Sequence, residues 1–382
     1  MQWTPSQLAA AAAAVLLLSS SSSHSQLQVT ALPTGNLIPN PFNGDALSWL
    51  DQSADQLSSG VVHGLNAAIH NSDGEPTPLS SIPYTPPPSA NSNANANANA
   101  NANSASNDKS YGIAYSPYNP DGTCKTSPQI THDITKLSSF RFVRIYGTDC
   151  NQTHLVLSAA QPLGGLQVFA GLFDLHDLDE QLQLIIDAVH ANPAANNNPW
   201  QAIHTVAIGN ELLNRAQATA AEVVAAVQSA RETLRAAGYH GPVVTVDTVA
   251  AHLQNPELCR VSDYCAANCH AFFDETVPAE AAGDYVWGQV GVGAAAAPPP
   301  KRKKVLITES GWPHAGQTNG MAVPSLENQK AAVQSLRDAF ALDPSAEDEE
   351  VRLVLFSSFD DLWKVDNGYT FGAEKFWGIL GH

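Results

Sequence analysis

Two apolar runs in this chain end on a carboxylic acid. Val206-Ala207-Ile208-Gly209-Asn210-Glu211 and Val305-Leu306-Ile307-Thr308-Glu309 each read as a buried strand that stops at a glutamate. Two carboxyl groups facing one gap suit glycoside hydrolysis, where one protonates the leaving oxygen while the other attacks the sugar carbon or activates water. The competing reading is that each acid lies in a solvated loop or caps the following helix, where the helix dipole favours negative charge. The chemistry therefore needs a fold that carries the ends of two distant strands to one mouth.

Strand-like runs recur at 111–118, 140–147, 166–173, 204–211, 242–249, 265–274, 303–310 and 351–359, with helical patterns between them. That is roughly 34 residues per unit, near the ~30 of a strand-crossover-strand unit and, in total, near the ~250 of an eightfold barrel. Thr219-Ala220-Ala221-Glu222 is a capping box, after which Val223, Val227, Ala230 and Leu234 hold one helical face and Gly238 ends the helix. Leu178, Leu182, Ile185 and Val189 mark another helix. Strands alternating with helices predict an α/β fold, a single (β/α)8 TIM barrel over 108–382. An open doubly wound sheet is the alternative, but no Gly-rich phosphate fingerprint follows the first strand.

In such a barrel the chemistry sits at the carboxyl ends of the strands. Those ends are polar here: Tyr115 and Tyr118, Tyr146 and Asp149, Asp174, Asn210 and Glu211, Asp247, His270 and Asp274, Glu309, Asp360 and Asp361.

The first 107 residues are of another kind. They hold Asp45, Asp51, Asp55, Asp73 and Glu75 but no Lys or Arg. Residues 8–18 form an Ala- and Leu-rich stretch followed by serines, which predicts a signal peptide over 1–25, too short to span a membrane. Residues 26–107 are rich in Pro, Ser, Asn and Ala and include an alternating Asn-Ala tract, the composition of a flexible spacer that cannot offset its ordering entropy by burial. Within it, Leu47, Leu50, Leu57, Val61 and Leu65 are spaced for a short helix near 46–70. The whole chain has 36 acids against 18 bases, a net charge of −18, which argues against nucleic-acid and anionic-membrane partners. With five cysteines and the sequon at Asn151, the expectation is a secreted, disulfide-bonded glycoprotein of the extracellular space or cell wall, monomeric and soluble.

Six segments in order carry a resemblance. They are Gly112-Ile113-Ala114-Tyr115-Ser116-Pro117-Tyr118, Arg144-Ile145-Tyr146-Gly147, Ile208-Gly209-Asn210-Glu211, Asn268-Cys269-His270-Ala271-Phe272-Phe273-Asp274, Thr308-Glu309-Ser310-Gly311-Trp312-Pro313 and Phe359-Asp360-Asp361-Leu362-Trp363-Lys364. Over 110–382 the chain resembles glycoside hydrolase family 17, most closely its fungal cell-wall β-1,3-glucanase and glucanosyltransferase branch. The resemblance implies a retaining enzyme of the glucan β-1,3-glucosidase class acting on wall β-1,3-glucan, without cofactor or metal. It makes Glu211 the acid/base and Glu309 the nucleophile, with carboxyl groups about 5–5.5 Å apart.

Their pKa values must then be driven apart, and a cation or hydrogen-bond donors must keep Glu309 charged. Lys364, Tyr115 and Tyr146 are candidates, with Asp361 pairing Lys364. Asn210 can donate to the sugar 2-hydroxyl. Tyr146, Trp312 and Trp363, with Tyr115, are candidate sugar contacts, because the axial hydrogens of a β-linked glucose present an apolar face to aromatic rings. Trp312 alternatively locks the loop of the nucleophile, and His270 reads as a supporting or core histidine. Transglycosylation of β-1,3-glucan and non-catalytic glucan binding are the other readings of the same residues.

Two tempting motifs fit less well. Cys259, Cys265, Cys269 and His270 lack the paired short spacings of a zinc site. Cys124 and Cys150 lie in the first two strand-to-helix loops and suit a bridge, whereas Cys265, at a strand start, reads as a candidate buried thiol. Lys301-Arg302-Lys303-Lys304 resembles a nuclear import signal, but a solvated loop before the seventh strand explains it better in a secreted chain.

Overall fold

The computed structural model describes residues 109–192, 198–295, 303–341 and 351–381, together with 69–70 and 76–77. The expected signal peptide and nearly all of the low-complexity segment lie outside the described residues. So does the helix near 46–70, apart from Ile69–His70, which is extended and pairs antiparallel with Pro76–Thr77.

Each of the eight expected runs marks one barrel strand, the fourth strand beginning one residue before its run: β1 (Gly112–Ala114), β2 (Phe142–Arg144), β3 (Gln167–Leu172), β4 (Ile203–Asn210), β5 (Val243–Thr248), β6 (Cys265–Asn268), β7 (Val305–Ser310) and β8 (Leu353–Leu355). Each pairs in parallel with its chain neighbour and β8 returns to β1, so the sheet closes. Closure removes the unpaired edges of an open sheet. It also makes the strands almost wholly buried, which is why they read as continuous apolar runs.

The crossovers are α1 (Ser127–Lys136), α2 (Gln152–Ala160), α3 (Leu178–Ala191), α4 (Ala220–Ala236), α5 (Val249–Gln254) with α6 (Pro256–Val261), α7 (Ala282–Ala295) and α8 (Leu326–Ala339). The capping box at α4 forms reciprocally: the Glu222 amide donates to Thr219 Oγ1 at 3.3 Å and the Thr219 amide to Glu222 Oε2 at 2.8 Å. Its Val223, Val227, Ala230 and Leu234 are buried against the barrel, as the spacing predicts.

A disulfide between Cys124 and Cys150 ties the loop after β1 to the loop after β2. The second bridge joins Cys259 to Cys265, so the expected thiol at Cys265 is corrected: the buried free cysteine is Cys269. The end of α6 and the start of β6 bring Cys259 and Cys265 together across six residues, a proximity that strand patterns alone do not reveal.

Along β2 the pleat sends alternate residues inward. Phe142 stacks on His204 at 4.0 Å between centroids in the lower barrel, Arg144 lies above it, and Tyr146 follows beyond the strand, its ring 4.4 Å from the Arg144 guanidinium. The barrel thus grades from an apolar base to a charged mouth.

Candidate active site

Glu309 is 6% exposed and stands opposite Asn268 in the β6–β7 register. Arg144, 2% exposed, reaches across the barrel from β2. Its Nη1 donates to Glu309 Oε1 at 2.8 Å and to the Thr308 carbonyl at 2.7 Å, and its Nη2 donates to Asn210 Oδ1 at 2.8 Å. His270 Nε2 lies 3.2 Å from Glu309 Oε2. Burial by itself would raise the Glu309 pKa, but Arg144, then His270 and then Lys364 outweigh it and hold the carboxyl at about 2. It is ionised at neutral pH.

Glu211 follows the last residue of β4. Gly209 has φ +80° and Glu211 itself φ +56°, and the β4–β5 register shifts between Ala207 and Asn210. A bulge of this kind re-aims side chains at a strand end, and the left-handed glutamate stores strain of about 1–3 kcal/mol. Asn268 Nδ2 donates to Glu211 Oε1 at 2.8 Å, and Asn214 Nδ2 to Oε2 at 3.4 Å. Asn268 Oδ1 in turn accepts from Arg144 Nη1 at 3.3 Å. The two glutamates, one just past β4 and one on β7, therefore join one network, Glu211 to Asn268 to Arg144 to Glu309.

Beneath Glu211, Asp247 at the end of β5 accepts backbone N–H bonds from Leu213, Asn214 and Thr248 at 2.9, 3.3 and 2.8 Å. Burial and the nearby Glu211 push its pKa up to about 7, against those three donors. Glu374, in the segment after β8, also has a raised pKa, first through burial; Lys364 and His270 oppose the rise, while Glu211 and Asp366 add to it.

The other expected site residues divide. Asn210 is buried, and its Oδ1 accepts from Arg144 and from Asn268, leaving its amide nitrogen without a protein partner among the described residues. Burial raises the Tyr146 pKa, Glu309 adds to the rise, and the phenol faces that carboxylate without a well-formed hydrogen bond. Lys364 Nζ lies 3.3 Å from Asp361 Oδ2. Trp363 is partly exposed at the rim, its indole N–H donating to Asp361 at 3.2 Å and its ring 4.8 Å from that of Tyr118.

Two candidate sugar contacts are corrected. Tyr115 is 1% exposed and its hydroxyl donates to Asp133 at 2.9 Å, so neither a sugar nor Glu309 has its ring or its proton. Trp312 is 0% exposed; it donates to the Val323 carbonyl at 3.0 Å and packs edge-on against Phe272. Its place is that of a lock on the loop after Glu309.

Sequence reasoning assigned no part to Arg144 and Asn268, and it set His270 back from the reacting groups. Arg144 carried a signal: a buried run, Phe142-Val143-Arg144-Ile145, with one cation in it demands a buried anion. Asn268 and Glu374 carried none, since their partners sit on other strands and loops.

Residues 112–378 match the family model described as the BtgE/BtgC glycoside hydrolase domain. The chain belongs to glycoside hydrolase family 17. The chain is 43% identical over 271 residues to the cell surface mannoprotein MP65 of Candida albicans, covering 71% of this chain and 66% of the relative. It is 41% identical over 271 residues to the probable family 17 glucosidase SCW4 of Saccharomyces cerevisiae, covering 71% and 65%. The chain thus spans just under two thirds of the length of these relatives. The fold is also that of a family 17 β-1,3-glucanosyltransferase from Rhizomucor miehei, with a TM-score of 0.55 at 23% identity over 72% of this chain and 94% of that one. As a family 17 member the chain carries its two candidate glutamates at the ends of the strands, β4 and β7, that position them.

Proposed function

We propose that this protein is a retaining glycoside hydrolase acting on cell-wall β-1,3-glucan by double displacement, cutting within the chain, and that it works outside the cell. The observation that carries the reading is a buried, ionised Glu309 joined through Arg144 and Asn268 to a second glutamate, Glu211. Family membership and the names of the relatives, a family 17 glucosidase and a cell surface mannoprotein, support the substrate class and the location.

In the first step Glu309 attacks the anomeric carbon while Glu211 gives its proton to the glycosidic oxygen. The low pKa of Glu309 keeps the nucleophile charged without a separate base. The Asn210 amide, held by Arg144 through its oxygen, is free to donate to the sugar 2-hydroxyl as charge develops on the ring. In the second step Glu211, now a carboxylate, takes a proton from water as the water oxygen bonds to the same carbon and Glu309 leaves. Trp363 with Tyr118 offers the aromatic wall for sugars on the β8 and β1 side of the mouth.

Reducing-sugar release from laminarin is the direct test. Glu309→Gln should lower it by at least about a thousandfold, as expected when a covalent nucleophile is lost. Equal rates for the wild type and this variant would leave glucan binding without turnover as the surviving function.

A further inference from the structure

Asp247 is a carboxylic acid buried in the barrel wall, 1% exposed, on the otherwise uncharged strand β5. Among the described residues no cation pairs with it, and its partners are three backbone N–H groups. Burying a carboxyl group without a counter-charge costs free energy, so its place in the wall asks for a compensating role.

Two of the three N–H groups belong to the turn that carries Glu211. The Arg215 amide donates to the Glu211 carbonyl at 2.9 Å, closing a helix-like turn whose early amides have no partner inside it. Asp247 supplies that partner from the neighbouring strand: its Oδ2 accepts from Leu213 at 2.9 Å and its Oδ1 from Asn214 at 3.3 Å. One residue earlier on β5, the Val246 carbonyl accepts from the Glu211 amide at 2.9 Å. β5 therefore grips the chain at Glu211 and again at Leu213 and Asn214. Glu211 itself has φ +56°, a conformation that a residue with a side chain keeps only where its surroundings over-determine it. The same turn aims Asn214, whose Nδ2 donates to Glu211 Oε2 at 3.4 Å.

We propose that Asp247 is the positioning residue of the acid/base: through the Leu213 and Asn214 amides it holds the turn that points Glu211 at the oxygen it must protonate. Both carboxyl oxygens accept, so asparagine, although similar in shape, cannot take its place, because the amide NH2 would face an N–H group. With one of those bonds lost the turn relaxes and Glu211 drifts from its line to the glycosidic oxygen. Asp247 lies too deep to touch the sugar, so its influence is confined to the steps in which Glu211 moves a proton. This inference rests on the proposed function of the same site.

Two donors separate this role from plain packing. Laminaripentaose needs its leaving oxygen protonated, whereas dinitrophenyl β-laminaribioside has a leaving group that departs as an anion without an acid. In Asp247→Asn, kcat/KM on laminaripentaose should fall at least about tenfold, while kcat/KM on the aryl donor stays within about twofold of wild type. On the aryl donor kcat and KM should fall together, because hydrolysis of the glycosyl-enzyme still needs Glu211 as base. Azide, a nucleophile that needs no base, should restore that kcat. An equal loss on both donors, or no loss on either, overturns the positioning role while leaving the proposed function standing. Where Asp247→Asn fails to fold, Asn214→Ala, at a partly exposed residue of the same turn, takes its place: the ratio of kcat/KM on laminaripentaose to that on the aryl donor should fall about threefold, and an unchanged ratio overturns the proposal. A wild-type protein that releases nothing from either donor overturns both this inference and the proposed function.

Discussion

Replacing Arg144 with methionine removes the principal cation facing Glu309 while keeping an apolar stem in the barrel. In the native protein Glu309 has a folded-state pKa of about 2 against an ordinary 4.5, so its contribution to stability is fully present above pH 4.5 and is lost as pH falls towards 2. That shift corresponds to roughly 3 kcal/mol at neutral pH, within the about 3–5 kcal/mol measured when one partner of a buried ion pair is removed. In Arg144→Met the largest opposing influence is gone, and burial, still opposed by His270 and Lys364, pushes the carboxyl upwards from about 2. Each step of that rise towards the ordinary 4.5 removes part of the stability that the ionised carboxylate contributes at neutral pH, and leaves the stability at low pH, where the group is protonated in both states, unchanged. The stability gap between wild type and variant should therefore be widest near pH 7 and narrow as the medium is acidified below pH 4.5. Urea unfolding at a series of pH values measures the gap directly. The acid limb of kcat/KM on laminarin should move upwards in the variant, because it reports the ionisation of the nucleophile in the free enzyme. A gap that stays constant with pH, together with an unmoved acid limb, would mean that Arg144 acts through packing alone, and the electrostatic account of Glu309 would fall.

Other perturbations test the frame around the site. Cys124→Ala with Cys150→Ala opens a bridge across 26 residues, for which chain-entropy loss predicts a cost of about 3.5 kcal/mol, visible as a lower Tm under non-reducing conditions. The double variant treated with reductant should match reduced wild type, since both then lack the Cys124–Cys150 and Cys259–Cys265 bridges; a Tm unchanged by the double substitution under non-reducing conditions would show that the two loops are held without the bridge. At Gly311, two residues beyond Glu309, a Cβ would lie 1.8 Å from the Phe356 carbonyl oxygen, so Gly311→Ala must push β7 and the chain after β8 apart. It should lower Tm and laminarin hydrolysis together, and a variant with native Tm and native rate would contradict the close approach.

Much of this protein was legible along the chain because barrel strands are buried on both faces. A residue run such as Val305 to Glu309 announces itself as a strand by composition, and the capping box at Thr219 and Glu222 announces the start of a helix by local hydrogen bonding. These are interactions within a few residues, and residue order states them. The six motif segments extended the reading to the family, since each falls at a strand end where the barrel gathers its polar groups.

What residue order could not state is which side chains meet. Tyr115 and Trp312 have the chemistry of sugar contacts, yet the fold closes both off and gives their polar atoms to Asp133 and Val323. Lys364 is the cation nearest in character to the expected partner of Glu309, but Arg144 and His270, from β2 and the chain after β6, stand closer to that carboxylate and dominate its charge state. The sequence by itself determined the strands, the helices, the eightfold count and the two acids at strand ends. Only the tertiary structure decided the charge, burial and partners of those acids, because electrostatic and packing energies depend on separation in space, and closing a barrel brings together residues that the chain keeps more than a hundred positions apart.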